Sequence, residues 1–171
     1  GESTERYFAN ISSFGMGGEV DHLMKTRFTK MGWNGSIAYF LAIITTLSRY
    51  QNPEVELIMD GEHYWKGRIR NVAIANGCYF GGGLKIAPDA KLDDAHFEVI
   101  IIGDATAGYL LRNAHHFYRG RHPSLKHVFT FKAQNIEVRG PQTTLMDIDG
   151  EPLGSLPATF EIIPSALNIL A

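Results

Sequence analysis

Val128 to Ile163 reads VFTFKAQNIEVRGPQTTLMDIDGEPLGSLPATFEII. Four short runs in it, Val128 to Phe131, Asn135 to Arg139, Thr144 to Ile148 and Thr159 to Ile163, are rich in β-branched and aromatic residues. Each is closed by turn-forming residues, the pattern of short strands in packed antiparallel sheets. A further strand is predicted over Leu167 to Leu170. Toward the N-terminus, Glu98 to Ile102 (EVIII) is too apolar to face water on both sides. Arg70 to Ala75 is another strand, Val55 to Met59 and Tyr64 to Ile69 pair across Asp60-Gly61, and Arg6 to Phe14 leads into a glycine cluster. Two helices interrupt the series. One starts at a capping Asn34 and repeats Ile37, Phe40, Leu41, Ile44 and Leu47 at helical spacing; the other spans Ala105 to Tyr118. The predicted fold is mainly β, a β-sandwich of mostly antiparallel strands with two helices.

A chain of 171 residues makes about one domain, burying roughly 70% of the surface its unfolded form exposes. An apolar share of 44% and a charged share of 20% suit a soluble globular protein. The net charge of −2 gives no general attraction to nucleic acid, which is not expected as a partner. The single cysteine, Cys78, excludes an internal disulfide and suits a reducing cytoplasm. The longest apolar run, Ile37 to Leu47, falls short of the ~20 residues that span a bilayer.

Chemistry concentrates in Met146 to Gly154 (MDIDGEPLG). In an extended strand Asp147 and Asp149 point the same way, leaving Asp149 at the mouth beside a tight turn, where a carboxylate can accept a hydroxyl proton. On spacing alone a plain hairpin turn is the favoured explanation of Asp-Gly, and Asp60, Gly61 and Glu62 repeat the tripeptide. Spacing leaves the choice between the two copies open. Gly15, Gly17 and Gly18 are expected to form a tight loop, and the Gly81 to Gly83 run to lie close to a ligand or a neighbouring strand. GMGG lacks the third glycine of a dinucleotide fingerprint. The apolar helix is either core on most sides or the wall of a greasy pocket. Arg119, Arg121 and Lys126 stand among His115, His116, His122 and His127 without metal-ligand spacing, as expected of a solvated helix end touching lipid head groups.

Three segments in order, FANISSFGMGGEV, NVAIANGCYFGGGLKIAPDAKLDDAHFEVIII and IDGEPLGSLPATFEIIPSALNIL, resemble the soluble bacterial diacylglycerol kinases, relatives of sphingosine and ceramide kinases. The resemblance covers nearly the whole chain. It implies the C-terminal, lipid-side β-sandwich of a two-domain kinase, whose N-terminal domain holds ATP through a Gly-Gly-Asp-Gly-Thr motif absent from residues 1–171. The chain is therefore expected to be one C-terminal domain, inactive without the ATP-binding domain as partner. The resemblance makes Asp149 the catalytic base, with Glu151 orienting the site, and puts Gly17, Gly18, Asn76 and Gly82 against the substrate. It further implies a structural Mg²⁺ held by the Lys91 carbonyl, the Asp94 carboxylate and the His96 carbonyl, besides the magnesium that accompanies ATP. Ala95 departs from the glycine usual after the second aspartate; a positive φ there would add strain on the order of 1 kcal/mol. The expected acceptor is a lipid alcohol reached at a membrane surface by a cytoplasmic, peripheral protein, with exposed strands able to pair copies into a homo-oligomer. The rival reading is a non-catalytic β-sandwich binding a lipid or protein, with Asp149 at an ordinary turn away from the glycine loops. A specificity like that of NAD kinases is the third.

Overall fold

The computed structural model describes residues 4–28, 35–80 and 83–167. β1 (Ile11–Gly15), β2 (Glu54–Met59), β3 (His63–Arg68), β4 (Asn71–Ala75), β5 (Phe97–Ile102), β6 (Val128–Ala133), β7 (Asn135–Arg139), β8 (Leu145–Ile148), β9 (Glu151–Ser155) and β10 (Ala158–Glu161) form two sheets. The larger has the order β6-β5-β4-β1-β8-β9 and the smaller β10-β7-β2-β3, with every pairing antiparallel. Alternation fixes which side chains meet between them. Phe14, Val72, Ile74, Val99 and Ile101 of the larger sheet pack on Val55, Leu57, Met59, Ile136 and Val138 of the smaller. The opposite face of the larger sheet, with Ile11, Ala73, Ala75, Ile100 and Ile102, is covered by Phe117 of α3 (Ala107–Tyr118) and by Ile86 and Ala87. β1, β4 and β5 are thus buried on both faces, which accounts for the unbroken apolar reading of EVIII.

The β-sandwich stands, with three α-helices among the described residues instead of the two expected. The additional one, α1 (Met16–Leu23), begins directly after Gly15, so GMGG opens a helix where a loop was predicted. A π-helical turn (Met24–Phe28) follows, then α2 (Gly35–Arg49), which packs on α1 through Ala38, Ala42 and Val20. Asn34, the expected cap, lies outside the described residues. Arg70 closes the other end of α2: its guanidinium donates to the carbonyls of Tyr50 (3.2 Å) and Ala105 (3.0 Å). The Tyr50 carbonyl lies at the unsatisfied C-terminal end of α2 and the Ala105 carbonyl just ahead of α3, and one buried cation satisfies both. The first strand is shorter than read, because residues 4–10 are not in a strand. β9 was not predicted; it contains Pro152 and survives because it lies at a sheet edge, where a missing donor costs no ladder bond to a further strand. Leu167 is not in a strand, and the remainder of that predicted run lies outside the described residues.

Candidate active site

The β8–β9 hairpin turns on Asp149 and Gly150, both at positive φ (49° and 82°), the geometry that matches the twist of a two-residue hairpin. Because Asp149 is left-handed, its side chain does not continue the alternation that would align it with Asp147. Its carboxylate swings instead onto the segment entering β1. Oδ1 accepts from the backbone N–H of Asn10 (3.1 Å) and Ile11 (2.9 Å), and Oδ2 from that of Ala9 (3.0 Å). Its own N–H donates to the Ile11 carbonyl at 2.9 Å. A carboxylate offers about four lone-pair sites, so these three donors leave one free, on an exposed residue. The other Asp-Gly-Glu copy is built similarly, with two backbone donors instead of three and a three-residue loop between Met59 and His63. Asp60 (φ 52°) accepts from the N–H groups of Gln134 (3.0 Å) and Asn135 (2.8 Å) and donates to the Asn135 carbonyl (2.9 Å). The two aspartates thus share a left-handed backbone and a backbone clamp, and differ in loop length, in number of donors and in surroundings.

Around Asp149 the chain gathers several polar groups. The Asn76 amide donates to the Ala9 carbonyl (2.9 Å), and Asn10 donates to the Tyr79 carbonyl (3.1 Å). Glu151, exposed, begins β9 opposite Ile148. Gly82 lies outside the described residues; Gly83, next to it, has φ 90°. Lys132, Glu98, Ala75 and Ile11 stand in one transverse row of the larger sheet. The loop Lys91 to Phe97 that feeds β5 consequently opens at the same sheet end as Asp149, three strand spacings or about 14 Å away.

Gly17 and Gly18 are not brought to Asp149. They seat α1 on β8. A Cβ on Gly17 would stand 2.6 Å from Ser13 Oγ, and one on Gly18 would fall on the Leu145 carbonyl. Beside them lies a buried polar cluster. Ser13 Oγ donates to Asp147 Oδ2, Ser12 Oγ donates to the Asp147 carbonyl (2.8 Å), and the Gly17 N–H donates to Asn71 Oδ1 (2.8 Å). Burial pushes the Asp147 carboxyl up to about 7, the Ser13 hydrogen bond opposing it and the charges of Asp21 and Asp149 adding to it. Burial alone lifts Asp21 to about 6.

A family model for the "YegS C-terminal NAD kinase beta sandwich-like domain" matches residues 11–171. The chain belongs to that family. Similar proteins include a diacylglycerol kinase of Mycobacterium tuberculosis, 28% identical over 167 residues that make up 97% of this chain and 52% of that protein. A diacylglycerol kinase of Bacillus subtilis is 29% identical over 94% of this chain and 52% of its own. A "Probable lipid kinase YegS-like" of Pseudomonas putida is 28% identical over 99% of this chain and 54% of its own. The chain thus spans about half the length of the curated relatives it matches. A crystal structure from Bacillus anthracis superposes with a TM-score of 0.69 at 22% identity, over 92% of this chain and 50% of that one, and establishes the fold.

In this YegS-type domain the predicted cation loop has oxygen donors and surplus negative charge. Ala95 adopts φ 56°, the left-handed turn usually left to glycine. Asp94 accepts from the His96 N–H (3.1 Å) and pairs with Lys132 Nζ (2.9 Å). Burial raises the Asp94 carboxyl, but Lys132 and that N–H outweigh it and hold the group below its ordinary range. Glu98 is buried with Oε2 lacking a hydrogen-bond partner, 4.0 Å from Lys132. Its carboxyl is pushed up by burial and by Asp89 and Asp94, against the pull of Lys132. An orphaned carboxylate oxygen and a second carboxylate around one ammonium fit a divalent cation. Among the described residues no three metal-ligating side chains converge, so such an ion would depend on carbonyl oxygens as well. The histidine region differs from expectation: His122 is fully buried, stacked on Phe117 at 4.6 Å, with Nε2 2.8 Å from the Ile86 carbonyl. Sequence reading missed Ser13, Asn71 and Asp21; two adjacent serines in an otherwise apolar strand were the available signal.

Proposed function

We propose that this chain is the acceptor-side part of an ATP-dependent lipid kinase, with Asp149 as the base that takes the proton of a lipid hydroxyl. The observation that carries the reading is the Asp149 carboxylate, held by three backbone N–H groups with one lone pair open on an exposed sheet end. The similarity of nearly the whole chain to one half of diacylglycerol kinases supports it. A primary alcohol is a weak nucleophile, so its oxygen must be aligned and its proton accepted as attack proceeds. The acceptor hydroxyl donates to the open lone pair of Asp149. Its oxygen bonds to the γ-phosphorus as the bond to the bridging β–γ oxygen breaks, ADP leaves, and the proton passes to Asp149. Backbone clamping fixes the carboxylate without a flexible intermediary, which favours alignment. Glu151, on the first residue after the turn, helps orient the acceptor; Asn76 acts through Ala9 by holding the clamp. Magnesium, accompanying ATP and in the Asp94 loop, would supply charge neutralisation. Gly17 and Gly18 serve by packing α1 rather than by touching the acceptor.

A second reading, Asp149 as a turn residue in a non-catalytic module, draws on the similar backbone clamp at Asp60. The deciding experiment follows ATP-dependent phosphorylation of a panel of lipid alcohols by the full-length protein and its Asp149→Asn variant. Phosphorylation lost in the variant, chiefly through kcat, is expected. A folded, ATP-binding protein that phosphorylates none of the panel would overturn the kinase reading.

A further inference from the structure

Asp60 holds a corner at which the chain changes sheets. β6 belongs to the larger sheet and β7 to the smaller, and Gln134 is the single residue between them. Its backbone is fixed on both sides. The Gln134 N–H donates to Asp60 Oδ1 (3.0 Å), as does that of Asn135 (2.8 Å), and the Gln134 carbonyl accepts from the Ile162 N–H (3.0 Å). With the main chain held, the exposed side chain reaches out of the corner toward the loop that feeds β5. Its Nε2 donates to the Ala95 carbonyl at 3.2 Å.

That carbonyl is one end of a peptide unit whose other end is also tied. The His96 N–H of the same unit donates to Asp94 Oδ1 (3.1 Å). In a trans peptide the C=O and the N–H point in opposite directions, so Gln134 and Asp94 grip one plane from its two edges. The orientation of that plane sets the direction of Asp94 Oδ1, while Oδ2 pairs with Lys132 Nζ (2.9 Å). Ala95, at φ 56°, is the strained residue of the turn. Its escape to the right-handed or extended region would change ψ as well as φ and swing the Ala95 carbonyl off the Gln134 amide. The Gln134 hydrogen bond therefore opposes that escape.

We infer that Gln134 is a positioning residue of the Asp94 loop: by holding the Ala95 carbonyl it keeps the left-handed turn, and with it the Asp94 carboxylate, in the shape that receives a divalent cation. The inference rests on the magnesium reading of that loop in the proposed function. Lys132 cannot serve the same end, because a divalent ion taken up by Asp94 competes with the Lys132 ammonium for the carboxylate. A carboxamide suits the position. It donates to the carbonyl as an ammonium or guanidinium would, without a positive charge set against the ion. Glu98, buried with Oε2 lacking a partner, stands on the β5 side of the same loop and supplies the second carboxylate. The first Asp-Gly-Glu copy then has a structural task of its own, since Asp60 fixes the backbone of the corner from which Gln134 reaches.

The test titrates the full chain with magnesium by isothermal calorimetry and records the unfolding midpoint without the ion. Gln134→Leu, which keeps the size of the side chain and removes the donor, is expected to weaken magnesium binding about fivefold, the loss of one hydrogen bond. Its cation-free midpoint should stay close to wild type, because the side chain is exposed. In the Ala95→Gly background the same substitution is expected to change affinity by less than about twofold, since glycine holds a positive φ without strain. That non-additivity is the signature of positioning, which a merely structural contact would not produce. Asp94→Asn, expected to abolish the binding heat, locates the ion. Wild type that takes up no magnesium, or an Asp94→Asn variant that binds it like wild type, removes the cation reading and this inference with it. Binding that requires Asp94 and is indifferent to Gln134→Leu overturns the inference alone and leaves the cation loop standing. An affinity loss that is the same with and without Ala95→Gly, or that comes with an equal fall in cation-free stability, also overturns it and leaves Gln134 an ordinary corner residue. Lipid phosphorylation enters none of these readouts, so a failure of the kinase reading remains separately visible.

Discussion

The two Asp-Gly-Glu copies provide an internal control for Asp149. In Asp149→Asn the amide oxygen can still accept from Asn10 and Ile11, but its NH₂ then faces the Ala9 N–H, donor against donor. One charge-assisted hydrogen bond is lost and two become neutral. Hydrogen bonds to charged groups contribute about 1.5–3 kcal/mol and neutral ones about 0.5–1.5. The site is exposed, so water re-solvates the abandoned donor and the net cost is on the order of 1–2 kcal/mol. Asp60→Asn should cost less, since the N–H groups of Gln134 and Asn135 that hold Asp60 both reach Oδ1 and one amide oxygen can keep them. For a domain of this size Asp149→Asn should lower the unfolding midpoint by about 2–8 °C and Asp60→Asn by less. Activity should separate them. A positioned base contributes about 10²–10⁴ in rate, so the full-length Asp149→Asn enzyme is expected to lose that much in kcat while Asp60→Asn stays within about twofold of wild type. The assay pairs thermal unfolding with initial rates of lipid phosphorylation on the same preparations. Equal losses of activity in both variants would reduce Asp149 to a turn residue and refute the argument.

Other consequences concern the buried cluster and the cation loop. Asp147 and Asp21, near 3.8 when unfolded and raised to about 7 and about 6 by the fold, bind more protons folded than unfolded. Their contribution is therefore fully present below about pH 4 and is lost as pH rises toward 7. Urea titrations across this range should show Asp147→Asn less pH-dependent than wild type and the more stable of the two at pH 8; a variant weaker at every pH would contradict this. Gly18→Ala should destabilise by about 1–3 kcal/mol, because the clash is with the Leu145 and Met146 backbone, which cannot rotate away. A raised midpoint would show that helix propensity wins and that α1 is not seated as described. Added magnesium should raise the unfolding midpoint of wild type and not of Asp94→Asn; a wild type indifferent to magnesium would leave Lys132 as the loop's only counter-charge.

How much of this was legible in the sequence depended on whether one residue's environment or several determined the outcome. EVIII at 98–102 announced a strand covered on both faces because burial imposes composition directly, and β5 has that environment. β9 was hidden because Pro152 opposes a strand locally, and only its place at the sheet edge makes it tolerable. The helix after Gly15 was hidden for a related reason. Its glycines look like loop punctuation, yet Gly17 and Gly18 are small because β8 lies against them. Asp149 shows the limit most plainly. The sequence contains the turn signal twice, and both copies place the aspartate left-handed against backbone N–H groups, so the pattern alone does not distinguish a catalytic aspartate from a structural one. The row of the larger sheet running from Lys132 through Glu98 and Ala75 to Ile11 places Asp149 and the acidic loop at one sheet end. Asp60 sits at the end of β2 in the smaller sheet, clamped by Gln134 and Asn135, and Gln134 Nε2 in turn donates to the Ala95 carbonyl of the same loop (3.2 Å). Proximity to that loop therefore does not single out Asp149; its third backbone donor, from the segment entering β1, and its two-residue hairpin do, and both depend on register across strands that are far apart in the chain.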